Sequence, residues 1–267
     1  MGFAWLLLAC QDPNRPAPTP SVGSNSNWLR ACTTDAECGD LPACRCGTCT
    51  ADCDADRACD SFSAARCAFS DDPAVWATCQ SSDAPITAGI CLPRCEPGEC
   101  AEGQACVERA CVPARLPETA LCRPVAQADA EQRAREEELL ALLASERSEA
   151  TVRCGTEAIR ETVPALRLDT RLWCASRVLA RDLSAAGGPR SGLLDAEGRD
   201  TVGRLEAVGY SAQLWGESFA VRAEMADEAL RLMLLDSDSC QRLVGARFRD
   251  VGVGNDGDSW VVTIGAP

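Results

Sequence analysis

This 267-residue sequence contains no histidine, and arginine supplies all 26 of its basic residues. A Ser-His-Asp or Cys-His site therefore has no imidazole to act as base, and Ser-Lys or Schiff-base chemistry has no amine. Carboxylates, hydroxyls, thiols and arginines remain. Two carboxylates can divide acid and base roles when burial separates their pKa values. Cys46-x2-Cys49 has the spacing at which two thiolates share a zinc ion, but no histidine and no second C-x2-C completes a tetrahedral set, so disulfides are the expectation and no metal is assigned. Asp52, Asp54 and Asp56 alternate like the opening of a calcium loop. Arg57 stands where that loop needs glycine and Ser63 where it needs its closing glutamate, so the stretch reads as a solvated acidic turn.

The net charge of -14 argues against a nucleic-acid partner or an anionic membrane surface, both of which require a basic stripe. The 19 cysteines would be a liability in a reducing compartment and form a covalent scaffold outside it, which points to an oxidising environment. Fourteen of them lie between residues 31 and 113, where large apolar side chains are few. Disulfides must replace a core there, each contributing about 2–4 kcal/mol, mainly by restricting the unfolded chain. Two partial repeats are visible. Gly47-Thr48-Cys49 with Cys53, Cys59 and Cys67 parallels Gly89-Ile90-Cys91 with Cys95, Cys100 and Cys106.

The elements that would carry these groups follow from composition and period. Residues 1–9 are apolar, and Leu7-Leu8-Ala9-Cys10 resembles the lipobox of bacterial lipoproteins. That resemblance implies cleavage before Cys10 and a lipid anchor on its sulfur rather than a spanning helix. Gln11 in place of aspartate favours the outer membrane where a cell has one, and an ordinary signal sequence with an unmodified Cys10 is the alternative. Residues 10–30 read as a flexible stalk, 31–113 as a small, loop-dominated disulfide domain, and 114–133 as a linker. A first helix carries Leu139, Leu140, Leu142 and Leu143 on one face, with Glu136-Glu137-Glu138 as negative charge near its start. A second is capped by Asp169, buries Leu172, Ala175, Leu179 and Leu183, and stops at Gly187-Gly188-Pro189. A short third runs from about Thr201 to Gly209, and a fourth carries Ala226, Ala229, Leu230, Met233 and Leu234. Val251 and Val253 belong to one strand of a C-terminal hairpin and Trp260 to Ile264 to the other, with a turn at Asn255-Asp256-Gly257-Asp258. Helices flanking a small antiparallel sheet make an α+β sandwich.

The order of motifs from Glu138 onward resembles the CAP superfamily (SCP-like; cysteine-rich secretory, antigen 5 and pathogenesis-related proteins). Leu142 to Arg147 stands for its L-V-N-x-x-R and Asp195 to Tyr210 for D-G-R-T-x-x-x-R-x-x-x-x-G-Y. Gly216-Glu217-Ser218-Phe219-Ala220 stands for G-E-N-I-A, Phe248 to Gly254 for F-x-x-V-G-x-G, and Ser259 to Gly265 for the last strand. The resemblance implies an α-β-α sandwich over 134–267 with a cleft. The family's metal-binding histidines fall at Leu193 and at Ser239, or at Ser259 in the eukaryotic pattern. Glu217 matches the first site glutamate, and Asp236 lies near the place of the second. With the ligands lost, no metal, no cofactor and no catalytic residue is expected. The resemblance also implies a Cys154–Cys240 bridge, which leaves Cys122 and Cys174 for each other unless Cys122 pairs into the cysteine-rich region. The expectation is an exported, lipid-anchored envelope protein whose degenerate CAP domain is not an enzyme but binds a cell-surface lipid or protein. An envelope-structural role, or a carboxylate-dependent hydrolase using Glu217, is the alternative.

Overall fold

The computed structural model describes residues 27–41, 43–60, 64–69, 72, 88–101, 103–149, 151–154, 157–159 and 163–266. The expected signal sequence, Cys10, most of the expected stalk and Cys79 lie outside them. No described helix is long and apolar enough to cross a membrane.

The cysteine-rich region contains β1 (Ala43–Arg45), β2 (Thr48–Thr50), β3 (Asp52–Cys53), β4 (Ala65–Ala68), β5 (Gly89–Pro93), β6 (Gln104–Val107) and β7 (Ala110–Pro113). It is built as three units of one pattern, where the sequence suggested two partial repeats. With Cys46 and Cys79 set aside, in each unit the first cysteine bonds the third and the second bonds the fourth: Cys32–Cys44 with Cys38–Cys49, Cys53–Cys67 with Cys59–Cys91, and Cys95–Cys106 with Cys100–Cys111. The third and fourth cysteines face each other across an antiparallel pair, as Cys44↔Cys49, Cys67↔Cys91 and Cys106↔Cys111. The visible G-x-C-x3-C repeats are the two junctions between units, and two junctions imply three units. Cys46 is also disulfide-bonded. Groups of three sulfurs lie within 4.8 Å of one another, but all are oxidised in bridges and none is a thiolate free to bind zinc. Asp52 is committed to Arg45, with contacts of 2.7 and 2.6 Å. The stalk ends earlier than expected, because Leu29 is buried and its N–H donates to the Cys49 carbonyl.

The C-terminal part comprises α1 (Ala130–Ser148), β8 (Val152–Cys154), β9 (Glu157–Ile159), β10 (Arg167–Leu168), α2 (Thr170–Ala186), α3 (Thr201–Ala207), β11 (Leu214–Ala220), α4 (Ala226–Leu235), α5 (Ser237–Leu243), β12 (Asp250–Asp256) and β13 (Ser259–Ala266). The sheet order is β10-β12-β13-β11, antiparallel except for the parallel β10–β12 pair. The expected hairpin is therefore the centre of a four-stranded sheet. The stretch around Glu217 is its edge strand, which the sequence alone did not assign.

Period-2 alternation sorts the two faces. Val251, Val253, Trp260, Val262 and Ile264 join Leu139, Leu140, Leu143, Leu230 and Met233 in one core, while Val261 packs with Leu179, Ala180 and Leu183 of α2. Glycine makes the second layer possible. A Cβ at Gly252 would sit 2.1 Å from the Leu172 carbonyl carbon, and one at Gly254 would sit 2.3 Å from that of Ser176. The backbone of α2 thus rests directly on β12, which explains the V-G-x-G spacing. Asp169 caps α2 by accepting from the N–H groups of Arg171 and Leu172, and Gly187 closes it at φ 69°, a left-handed conformation that glycine adopts without cost.

Two expectations about residues 114–138 are corrected. Helix α1 begins at Ala130, inside the expected linker, with Asp129 as its cap. Glu136 and Glu137 do not decorate its start; both are buried. Glu136 accepts from Trp173 Nε1 at 2.9 Å, from Arg177 Nε at 2.9 Å and from the Asn255 N–H at 3.1 Å, which joins α1 and α2 to the end of β12. Glu137 accepts from the Gly98 N–H at 2.7 Å. Cys95, Cys106, Val107 and Val112 share a hydrophobic cluster with Leu139, Leu140 and Leu143. The third cysteine-rich unit is therefore seated on α1 and is not a bead on a free tether.

Candidate functional site

The cleft runs along edge strand β11 and has a volume of about 630 Å³. The alternation of β11 sends Trp215, Glu217 and Phe219 to the face covered by α2, because Glu217 opposes Thr263 and Phe219 opposes Val261. Thr201 of α3 and Leu193 of the preceding turn close that side, and Arg190 stands at the mouth. Arg242 of α5 comes from the other side. Its Cδ lies 3.0 Å from where a Cβ on Gly216 would be, so the absence of a side chain at 216 lets the arginine stem cross the strand into the cleft.

Glu217 is buried and held from three directions. Its Oε2 accepts from Thr201 Oγ1 at 2.8 Å and from Arg204 Nη2 at 2.7 Å, and its Oε1 accepts from Thr263 Oγ1 at 3.2 Å. Thr263 Oγ1 in turn lies 2.8 Å from Ser176 Oγ on α2. Arg204 is completely buried, and its Nη1 donates to the Leu193 and Arg199 carbonyls at 3.0 and 2.9 Å. Leu193 has a φ of 51°, a left-handed backbone that costs a branched residue about 1–2 kcal/mol. The Arg204 contact helps to hold it there. Glu217 is thus a buried ion pair that fastens α3 and the 191–193 turn to the sheet through side chains.

The other candidate residues disperse. Ser239 lies on α5, 3.3 Å from Arg242 Nη2. Asp236 is exposed and caps α5 by accepting from the Ser239 N–H at 2.8 Å. That donor, with smaller help from the Ser239 hydroxyl and the charge of Arg242, holds its carboxyl below the usual range. Ser259 begins β13 beside the hairpin turn, four residues along the strand from Thr263, roughly 13 Å at the rise of an extended chain. Asp236 and Ser259 do not line the cleft. Cys154 is joined to Cys240 and Cys122 to Cys174, with Cα separations of 5.4 and 5.5 Å. The second bridge clamps the segment before α1 onto α2.

A divalent metal, which the resemblance would imply, does not fit these residues. Leu193 offers no donor atom, and one oxygen of Glu217 is shared between a hydroxyl and a guanidinium. The charge of Arg204, 2.7 Å from that oxygen, opposes any cation there. Sequence reading missed the lock itself. Thr201 and Arg204 stood inside a quoted motif, but they lie 16 and 13 residues from Glu217, too far for any local pattern to reveal the contact.

Neither a protein-family model nor a curated protein sequence matches the chain. Among solved structures, an extracellular protein containing an SCP domain from Bacillus anthracis is 17% identical with a TM-score of 0.44, over 53% of this chain and 44% of that one. A cysteine-rich secretory protein from Staphylococcus aureus is 10% identical with a TM-score of 0.38, over 50% and 38%. An outer surface protein from Borrelia burgdorferi is 17% identical with a TM-score of 0.39, over 48% and 90%. The chain thus spans less than half the length of the first two. In the C-terminal half, the motifs that resemble the CAP superfamily lie on an edge strand, a central hairpin and helices on both faces of the sheet, the α-β-α sandwich that the resemblance implied.

Proposed function

We propose that the chain is an exported, lipid-anchored cell-envelope protein whose CAP-like domain is a binding module and not an enzyme. The lock on Glu217 carries this reading. The acid of the cleft is spent on Arg204, Thr201 and Thr263, and the neighbouring position is Leu193. With no imidazole or amine in the sequence, no group remains to raise a nucleophile at neutral pH. The cleft itself is retained, at a volume within the range of small-molecule sites. The bridged cysteines support an oxidising compartment, and Leu7-Leu8-Ala9-Cys10 supports anchorage by lipid at Cys10. The partner is a surface ligand, lipid or protein.

Native mass spectrometry of the protein extracted from its own membranes tests this. The expected spectrum has acyl mass on the peptide that begins at Cys10 and a noncovalent adduct on the folded chain. Turnover of an envelope substrate that disappears in Glu217→Gln would overturn the binding reading. Equal detergent partitioning of wild type and Cys10→Ser would overturn the anchor.

A further inference from the structure

We propose that the pocket between the third cysteine-rich unit and α1 takes a small organic ammonium ion, its charged nitrogen on Glu137 and a compact, ring-sized body against the apolar walls. This site is separate from the β11 cleft and does not depend on what that cleft binds. The pocket has a volume of about 200 Å³. Glu137, Leu140, Ala141 and Ala144 line it from one face of α1, at the i, i+3, i+4 and i+7 positions. The third unit supplies Pro97, Val107 and the Cys95–Cys106 bridge. The two alanines leave the room, since a longer side chain at either position would fill it. An apolar cavity of about 150 Å³ is enough to hold benzene, so this pocket accommodates one ring.

The head group follows from Glu137. It is 3% exposed, forms no ion pair among the described residues, and accepts from the backbone N–H of Gly98 at 2.7 Å and from that of Cys106. Burial pushes its carboxyl above the usual range, with those two hydrogen bonds and the more distant charge of Arg133 opposing. An ionised carboxylate withdrawn from water without a cation beside it is costly. An ammonium in the pocket lowers that cost, because its charge and its N–H groups both favour the ionised form. The other charged residues of the pocket are Glu96, Glu108 and Arg109. Arg109 is bonded to Glu96, which leaves Glu108 and Glu137 to set a negative potential. Glu108 and Arg109 form the β6–β7 turn with φ of 46° and 63°, left-handed conformations that disfavour any residue but glycine. Backbone strain of this kind collects at ligand sites, and here it holds the acid of Glu108 at the pocket. The charge selects a cation, and the apolar walls select a compact organic body over a hydrated metal ion.

Methyl-resolved NMR of the full chain, titrated with benzylamine, benzyl alcohol, benzoate and methylamine, tests the assignment. Benzylamine should shift the methyl signals of Val107, Leu140 and Ala144. It should bind about tenfold or more tightly than benzyl alcohol, the scale of a charge-assisted hydrogen bond, and benzoate should bind more weakly than either. Methylamine, the head without the ring, should bind more weakly than benzylamine. Glu137→Gln, which can still accept from the Gly98 N–H, should bring benzylamine to the level of benzyl alcohol. Ala144→Leu, at a half-buried helix position, fills the pocket without touching the Gly98 bond and should abolish binding of both, with the methyl signals of Val251 and Val262 in place. Benzyl alcohol or benzoate binding as tightly as benzylamine would overturn the ammonium head, and methylamine binding as tightly would overturn the apolar body. Benzylamine shifts confined to residues elsewhere, unchanged binding in Ala144→Leu, or no binding by any probe would overturn the site, whereas the native mass spectrum judges the binding-module reading of the β11 cleft separately.

Discussion

The two halves of this chain meet the entropy of folding by different means. In residues 31–113 the buried side chains are mostly cysteine and alanine, with Ile90, Leu92, Val107 and Val112 the few larger ones. Bridges closing loops of 11 to 32 residues hold three small units. From α1 onward the core is large, with Trp260, Met233 and a series of leucines fully buried, and only two bridges span it, over 52 and 86 residues. Small units bury too little apolar surface to offset chain entropy, so the cost is lowered by restricting the unfolded state; a two-faced sandwich accumulates enough burial on its own. The halves are nevertheless coupled where Glu137 and the leucines of α1 meet the third unit.

Reduction should separate them most sharply. With thiol reductant, the amides of β1 to β7 are expected to lose hydrogen-exchange protection altogether, while β11, β12 and β13 keep theirs with a smaller protection factor. Each of the two long bridges is worth about 4–5 kcal/mol in the chain-entropy estimate. Simultaneous loss in both halves would mean that the sandwich also depends on covalent closure.

Within the sandwich, packing coexists with buried charge, and the next prediction isolates that charge. Arg204→Ala should destabilise by about 3–5 kcal/mol in urea denaturation, because it strands Glu217 in a buried site. The double change Arg204→Met with Glu217→Gln should recover most of the loss. Failure to recover would show that Arg204 acts through its contacts to the Leu193 and Arg199 carbonyls and not through the ion pair.

The smallest effect concerns Asp250, which accepts from Tyr210 Oη at 2.8 Å while its Oδ1 is buried without a partner. Burial pushes its carboxyl above the usual range, with the Tyr210 hydrogen bond opposing. A carboxyl raised in the folded state contributes stability below its unfolded value, and that contribution is lost as pH rises through the folded value. Asp250→Asn, which can still accept from Tyr210, should therefore be more stable than wild type at pH 7 by about 1 kcal/mol. The difference should shrink as pH falls toward ~3.5, near the unfolded aspartate value. Equal denaturation midpoints at both pH values would remove Asp250 as a pH-dependent cost.

Much of the local structure was legible. Asp169, Gly187 and the leucine spacing of α2 report themselves, because caps and apolar period are short-range features. So do the alternation of Val251 and Val253 and the glycine-rich turn. The G-x-C-x3-C repeat was visible too, but its phase was not: Cys44 and Cys49 are opposite each other across a strand pair, yet each is bridged to a cysteine nearer the start of its unit. Asp236 looked like a site carboxylate by position and is a helix cap, because the seven residues of α5 follow it and need their first N–H groups satisfied.

The sequence by itself determined which catalytic side chains the chain lacks and where α2 and the β12–β13 hairpin lie. The absence of histidine and lysine is a fact of composition, and helix caps, strand alternation and cysteine density act over a few residues. The tertiary structure alone decided the fate of the charges. Glu136 meets Arg177 across 41 residues, Glu217 meets Arg204 across 13, and Arg242, with a buried nitrogen, forms no ion pair among the described residues. Whether a charged side chain is locked, paired or available depends on which residues the sheet and helices bring within a few ångströms and on how far water is excluded there, and neither is encoded in local spacing.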